Sequence, residues 1–152
     1  RIIMSLPSVL NIAGSGMTAQ SVRLNTTASN IANADSASSS VDETYRARKP
    51  WFSVLESEVN SKSRDVNGFM DTDAAMGAGV KIDGIVEKDS PLQARFQPDH
   101  PMANDDGYVY YPNVNIVEEM TDMMSSSRSY QMNVEVLKTA KQMLQRTLTL
   151  GQ

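Results

Sequence analysis

The stretch VNIVEEMTDMMSSSRSYQMNVEVLKTAKQMLQRTLTL, residues 114–150, contains neither glycine nor proline and decides the fold. Residues on one face of a helix recur at alternating intervals of four and three, and this stretch follows that rhythm. It therefore predicts one helix about 50 Å long, with Pro112 before it and Gly151 after it as stop signals. The positions of its mainly apolar stripe are Ile116, Met120, Met123, Ser127, Tyr130, Val134, Leu137, Lys141, Leu144 and Leu148.

A second stripe with the same rhythm lies near the N-terminus, where Ser5 is a predicted helix cap and Pro7 suits the first turn. Gly14 and Gly16 weaken this helix, because each costs about 1 kcal/mol in a helix interior relative to alanine. One alternative is that they split it in two. We favour an unbroken helix whose small residues let a neighbouring helix approach closely. The stripe consists of Leu6, Leu10, Ala13, Met17, Gln20, Leu24, Thr27 and Ile31.

The middle of the chain lacks the helical periodicity of the two ends. Polar stretches at 35–42 and 57–78 predict loops, and short strands are predicted at 45–49, 51–55, 79–86, 93–96 and 108–111. The modest core predicted for this module consists of Trp51, Phe52, Val54, Leu55, Val80, Ile82, Ile85, Val86, Leu92, Phe96 and a few tyrosines.

The predicted fold class is α+β, with the two terminal helices pairing as an antiparallel coiled-coil-like arm around a small β-rich module. The predicted segments are 5–34 for the first helix, 35–112 for the β-rich module and 113–151 for the second helix. Because isolated amphipathic helices gain most of their stability from burying a stripe, we expect both to be largely disordered in the isolated subunit and to become helical only on assembly.

Composition excludes several classes of protein. The chain has 14 basic and 18 acidic residues without a long basic run, so no nucleic-acid partner is predicted. It has no cysteine and one histidine, His100, which leaves no thiolate or histidine-rich metal site. No stretch reaches the roughly 20 apolar residues of a membrane span, and the N-terminus lacks the pattern of a cleaved secretory signal.

Patterns typical of catalysis or ligand binding are weak. Gly14-Ser15-Gly16 matches a relaxed dinucleotide fingerprint, and a small soluble nucleotide-binding or enzymatic domain using it is the alternative function. The second strand with a terminal acidic residue that this fingerprint requires is missing. Asp71 and Asp73 do not have the spacing of a calcium loop, and 104–107 is typical of a turn. We therefore predict no enzyme activity, no cofactor, no metal and no small-molecule substrate.

Both ends of the chain carry family motifs. The segments AGSGMTAQ at 13–20, RLN at 23–25 and ASNIANA at 28–34 resemble the N-terminal signature of flagellar rod and hook proteins. The segments NIVEEM at 115–120, SRSYQMN at 127–133 and 144–150 resemble its C-terminal partner. Two further segments, 99–103 and 107–115, are similar to proximal-rod proteins of the FlgC type.

This resemblance implies a structural subunit of the proximal rod that polymerises through its terminal helices into the drive shaft transmitting torque across the periplasm. It also implies export by the flagellar type III apparatus, like and unlike rod subunits as partners, and a location in the basal body. In this reading Asn30 and Asn33 bond backbone groups where the first helix ends. The predicted assembly-interface residues are Leu10, Met17, Gln20, Arg23, Leu24, Asn30, Ile31, Asn33, Glu118, Glu119, Met120, Met123, Arg128, Tyr130, Asn133, Leu137 and Leu144.

Overall fold

The computed structural model describes residues 6–55 and 79–150. Two long helices flank four strands that form two small sheets, so the predicted α+β class is confirmed. The elements in chain order are α1 Leu6–Ala32, β1 Arg48–Leu55, β2 Gly79–Glu87, β3 Gln93–Phe96, β4 Tyr108–Tyr111 and α2 Ile116–Leu150.

Helix α2 is continuous, as its sequence predicts, but it begins at Ile116 because Asn115 caps it. The Asn115 Oδ1 accepts hydrogen bonds from the backbone N–H groups of Val117, at 3.1 Å, and Glu118, at 3.4 Å. Glu118 and Glu119 lie in the first turn, where negative charge is favourable to the helix dipole. Gly151 lies outside the described residues.

Helix α1 runs unbroken through both glycines, so the alternative of two short helices is wrong. A Cβ placed on Gly16 would lie 2.9 Å from Nδ2 of Asn133 in α2, whereas a Cβ on Gly14 would meet nothing within 4 Å. The small residue at 16 therefore does permit a helix to approach closely, but that helix belongs to the same chain. The predicted cap Ser5 lies outside the described residues.

The two strands predicted at 45–49 and 51–55 are a single strand, β1, that continues through Pro50. Proline has no N–H to donate to a ladder, but a two-stranded sheet leaves a free edge that tolerates it. The partner strand is β2, and Lys88 N donates to Ala47 O at 2.7 Å just beyond the ends of both strands. The loop predicted at 57–78 lies outside the described residues.

Strands β3 and β4 pair antiparallel, with Gln93 opposite Tyr111. Both strands were predicted at these positions, and the predicted end of β2 differs from the observed end by one residue. An isolated bridge joins Ser38 to Tyr110, with N···O distances of 3.0 and 2.9 Å, so the predicted 35–42 loop is held against β4.

The turn predicted at 104–107 is confirmed. The Asn104 Oδ1 accepts from the N–H groups of Asp106 and Tyr108, at 3.1 and 2.8 Å. Gly107 has a φ of 79°, a left-handed conformation that side-chain-bearing residues rarely adopt. The turn therefore requires glycine at this position and delivers the chain into β4.

Contacts divide the chain into two compact units. Unit 1 contains Arg1–Gln20, Phe52–Asp83 and Arg128–Gln152, and unit 2 contains Ser21–Trp51 and Gly84–Ser127. Each helix and each strand of the β1–β2 pair thus contributes to both units. The three segments expected from sequence stay a prediction.

The core of unit 2 is built from small residues. Ala34, Ala47 and Val114 are buried, and Tyr45 and Ile116 pack against them. The prediction of a core of large apolar residues in the β module is wrong, because a two-stranded sheet has no second layer to cover both of its faces. The predicted core residues that are exposed are Trp51, Phe52, Val54, Leu55, Val80, Ile85, Val86 and Phe96.

The buried face of α2 also differs from the predicted stripe. Met123, Leu137 and Leu144 are half-buried as expected, whereas Met120 and Tyr130 are exposed. The buried positions are instead taken by small and polar residues spaced at multiples of seven, which is a heptad rhythm. These residues are Glu119, Ser126 and Ala140.

Candidate functional site

Asn30 is fully buried near the end of α1 and its side chain makes four hydrogen bonds. Its Nδ2 donates to Arg48 O at 2.8 Å and to Glu119 Oε2 at 3.0 Å. Its Oδ1 accepts from Arg48 N and from the Tyr45 hydroxyl, both at 2.9 Å. All four hydrogen-bonding positions of the amide are therefore used, and one side chain joins α1, β1, α2 and the segment before β1.

The groups around Asn30 are themselves held in place. Glu119 is only 3% exposed, and the Tyr45 hydroxyl also lies 3.3 Å from Ser29 Oγ. The Arg48 guanidinium carbon sits 5.3 Å from the centre of the Tyr45 ring, a cation–π distance. We call this cluster, Ser29, Asn30, Tyr45, Arg48 and Glu119, the Asn30 junction.

A second amide connection involves Asn113, which is half-buried just before α2. Its Oδ1 accepts from Ala47 N at 2.8 Å, and its Nδ2 donates to Lys88 O at 2.9 Å and to Ser90 O at 2.7 Å. Asn113 thus fixes the chain entering α2 to the start of β1 and to the segment that follows β2.

Salt bridges also connect α1, β1 and the residue after β2 to α2 at the surface of unit 2. Arg23 pairs with Asp122 at 3.0 Å, Lys49 with Asp122 at 3.5 Å and with Glu118 at 2.9 Å, and Lys88 with Glu118 at 3.9 Å. The hydrogen bond with Glu118 raises the pKa of Lys49, and the same bond lowers the pKa of Glu118. Both side chains are 44% exposed, so solvent screens the pair and its contribution is small.

Within unit 1, α1 and β2 meet at Ser15. The Ser15 hydroxyl donates to Ile12 O at 2.9 Å and accepts from Val80 N at 3.1 Å. Gly79 has a φ of 147°, and a Cβ there would overlap Ser15 Oγ. Only glycine fits this approach of strand to helix.

The nucleotide-binding alternative is wrong for this chain. Gly14, Ser15 and Gly16 lie inside α1, so the strand–turn–helix that a dinucleotide fingerprint requires is not formed. Asp71 and Asp73 lie outside the described residues. Over 6–55 and 79–150, no group of three or more histidine or acidic side chains is arranged to hold a metal ion. In the same part of the chain, no helix has the length and apolar character needed to cross a membrane.

The structure separates the predicted interface residues into three groups. Asn30 and Glu119 are buried within the chain, Arg23 is paired with Asp122, and Asn33 Nδ2 bonds Ser29 O at 2.8 Å. The exposed ones are Glu118, Met120, Arg128 and Tyr130. The half-buried remainder comprises Leu10, Met17, Gln20, Leu24, Ile31, Met123, Asn133, Leu137 and Leu144.

Sequence reasoning missed several residues of the site. Asn115 carried a usable signal, because asparagine directly before an apolar-periodic stretch is typical of a helix cap. Tyr45, Lys49 and Asn113 carried none, because each acts through partners far away in the sequence.

Comparison with known families defines the class of protein. Residues 10–37 match the family described as "Flagella basal body rod protein", and residues 105–150 match "Flagellar basal body rod FlgEFG protein C-terminal". These matches cover the parts of the chain that carry most of α1 and α2, together with both sides of the Asn30–Glu119 contact. The chain is therefore of the flagellar rod class.

Curated relatives narrow the class to one family. The chain is 45% identical over 149 residues to the flagellar basal-body rod protein FlgC of Escherichia coli O6:H1, with 98% of this chain and 100% of that protein covered. FlgC of Salmonella typhimurium LT2 is 43% identical, with the same coverage. FlgC of Bacillus subtilis 168 is 37% identical, with 93% and 95% covered. The chain belongs to the FlgC family of flagellar basal-body rod proteins. It is a structural protein of the rod and not an enzyme, as predicted.

Proposed function

We propose that the chain is a polymerising subunit of the rod, assembling through α1 and α2 with like and unlike rod subunits. Its membership in the FlgC family supports a rod role, and both family matches lie on the helices. The observation that carries the proposal is that polar side-chain contacts join α1 to α2 in unit 2, whereas several large apolar side chains of α2 stay exposed. Exposed apolar rows of this kind are typical of interaction surfaces.

The helices are proposed to pair as an antiparallel coiled-coil-like arm. In unit 2, Arg23 contacts Asp122 and Asn30 contacts Glu119, so residue numbers rise in α1 as they fall in α2. The heptad spacing of the buried positions in α2 supports the same arrangement.

Torque transmission requires that the helices do not slip against the strands. The Asn30 junction fixes α1 to the backbone of Arg48 in β1, and Asn113 fixes the segment before α2 to the backbone of Ala47, just before β1. Deforming such a unit means breaking several hydrogen bonds together, including the buried one between Asn30 and Glu119, and a buried group left unsatisfied is costly. We propose that this unit carries load in the drive shaft across the periplasm.

Export through the flagellar type III apparatus is part of the proposal, since a rod subunit must reach its site of assembly. A chain without cysteine has no disulfide to hinder passage unfolded.

The test is deletion of the gene in its source, followed by motility assays and electron microscopy of purified basal bodies. We expect non-motile cells whose rods stop at an early stage, with rescue by the intact gene. The rescuing gene also carries a tag, and we expect the tagged protein to be detected in the basal bodies of the rescued cells. Swimming deletion cells with complete basal bodies would contradict the proposed function.

A further inference from the structure

Two consecutive β-turns lie between β3 and β4, and they share His100. The His100 N–H donates to Gln97 O at 3.1 Å, and the Ala103 N–H donates to His100 O at 2.9 Å. Pro98 and Pro101 occupy the second position of each turn, where the fixed φ of proline is favourable. His100 is therefore both the last residue of one turn and the first residue of the next.

The His100 side chain completes the second turn. In a β-turn the N–H group of the third residue has no backbone acceptor within the turn, and an asparagine, aspartate or serine at the first position often supplies one. In this turn the third residue is Met102, and its N–H donates to Nδ1 of His100 at 3.1 Å. A half-buried imidazole thus has the role that an amide, carboxylate or hydroxyl oxygen usually has.

This hydrogen bond requires the neutral form of His100. A backbone N–H group only donates, so Nδ1 must present its lone pair and the proton of the neutral ring must lie on Nε2. The imidazolium form carries a proton on both nitrogens and has no acceptor to offer. Histidine is the side chain that ordinarily changes charge between about pH 5 and 8, whereas asparagine and serine keep their acceptors over that whole range.

The surrounding charges form no salt bridge with His100. Arg95 of β3 lies over the Tyr111 ring, 4.7 Å from its centre, and β4 has no charged residue. His100 takes part in none of the salt bridges formed within residues 6–55 and 79–150. Protonation of His100 in this conformation therefore removes the Met102 bond without an ion pair in its place. The other charged groups on the adjoining connection and on the 35–42 loop are Asp99, Asp105, Asp106, Asp35 and Asp42.

We propose that the 100–103 turn is a pH-sensitive element of unit 2, closed while His100 is neutral and opened locally when the imidazole takes up a proton. The opening is confined to this connection, because Gln97 N donates to Gly107 O at 2.9 Å and holds the ends of the two strands together. It is also separate from the acid response of Glu118, because the pKa of that carboxyl is lowered below its ordinary value. The proposal does not depend on the proposed function and adds a conformational response to pH.

Nuclear magnetic resonance of the isotope-labelled full chain between about pH 5 and 8 is the test. We expect the neutral His100 ring to carry its proton on Nε2, and the Met102 amide signal to shift with the same midpoint as the ring signals. Exchange of the Met102 amide proton is measured by magnetisation transfer from water and divided by the rate in a His100→Asn chain at the same pH. From the alkaline to the acid end this ratio should rise about fivefold, as for the loss of one hydrogen bond of typical net strength.

His100→Asn is the matched control, because asparagine keeps a side-chain acceptor that does not titrate. His100→Ala removes the acceptor altogether, so the Met102 amide of that chain should exchange fast relative to the control at both ends of the pH range. A neutral ring with its proton on Nδ1 would overturn the proposal. The same conclusion follows if the Met102 signal does not follow the His100 titration, or if it titrates equally in the His100→Asn chain.

Discussion

At the scale of single residues, the two asparagines at the end of α1 have different roles although they lie three positions apart. Asn33 bonds one carbonyl of its own helix, whereas Asn30 bonds partners in three other parts of the chain. Burial decides the difference, because a buried amide leaves no group unpaired without a large cost. Asn30 is therefore the residue on which the connection of helix to strand depends most.

Replacing Asn30 by alanine should lower the free energy of unfolding by about 2 kcal/mol, since the buried Glu119 and the part-buried groups of Arg48 and Tyr45 lose their partner. Urea unfolding of the purified chain, followed by circular dichroism, measures the change. Asn25→Ala is the matched control on the exposed face of α1 and should stay within about 0.5 kcal/mol of the parent. Equal effects of the two substitutions would show that the Asn30 junction contributes little to stability.

At the scale of elements, strand β2 contains two glycines in different surroundings. Gly79 has a positive φ and faces Ser15 of α1, whereas a Cβ on Gly84 would meet nothing within 4 Å. The close approach of β2 to α1 requires glycine at position 79, whereas no neighbouring atom requires it at position 84.

Gly79→Ala should therefore destabilise the chain by about 1–3 kcal/mol, because strain in the backbone adds to the overlap with Ser15 Oγ. Gly84→Ala is the control, and we expect it to be neutral or stabilising by up to about 1 kcal/mol. Thermal unfolding of both variants provides the comparison. A Gly79→Ala chain as stable as Gly84→Ala would mean that the Ser15–Val80 contact is not formed in solution.

The charged connection between β1 and α2 predicts a pH dependence. The pKa of Glu118 is lowered from 4.5, mainly by its hydrogen bond with Lys49. The stabilisation from the Glu118 carboxylate is therefore present above pH 4.5 and is lost as pH falls through its lower pKa in the folded chain. The pKa of Lys49 is raised from 10.5, so its contribution persists until the solution is more alkaline. Acid therefore weakens this connection before alkali does.

Glu118→Gln should lower stability at pH 7 by about 0.5 kcal/mol, a value typical of an exposed pair. The difference from the parent should shrink toward zero as pH falls through the lowered pKa of Glu118 in the folded chain, because the parent carboxyl then becomes protonated. Glu135→Gln, which breaks the exposed Glu135–Lys138 pair on the same helix, should change stability by less than about 0.5 kcal/mol. Urea unfolding between pH 3 and 8 tests this, and a pH-independent difference would contradict the assigned bond.

At the scale of the whole molecule, the buried polar connections described above lie in unit 2. The helix segments of unit 1 contact each other at Gly16 and Asn133, where small and polar groups meet. Among the described residues, the buried apolar side chains of these helix segments are the small ones of Ala13, Ala19 and Ala140. Helices depend on the burial of apolar surface for most of their stability. The two halves of each helix should therefore differ in stability before assembly.

Hydrogen exchange of the isolated chain should show slow amides in α1 from 21 to 32 and in α2 from 116 to 127. The segments 6–20 and 128–150 should exchange faster and become protected on assembly. This modifies the expectation from sequence, in which both helices as a whole wait for assembly. Uniform protection along both helices in a dilute monomer would contradict the prediction, because it would mean that the two helices are stable without neighbouring subunits.

The sequence by itself determined the α+β class, both long helices, three of the four strands within one residue and the turn at 104–107. These features follow from local physics: helical periodicity over 114–150, short extended runs, and glycine at a left-handed position. The terminal motifs also determined the family resemblance, which the FlgC relatives confirm.

Only the tertiary structure decided which face of α2 is buried, that β1 continues through Pro50, and that Trp51 lies 65% exposed. A periodic pattern identifies a helix but not its partner, and here the partner α1 presents small and polar residues toward Glu119 and Asn133. The Asn30 junction likewise brings together residues 15 to 89 positions apart, because hydrogen bonds between distant segments exist only once the chain has folded.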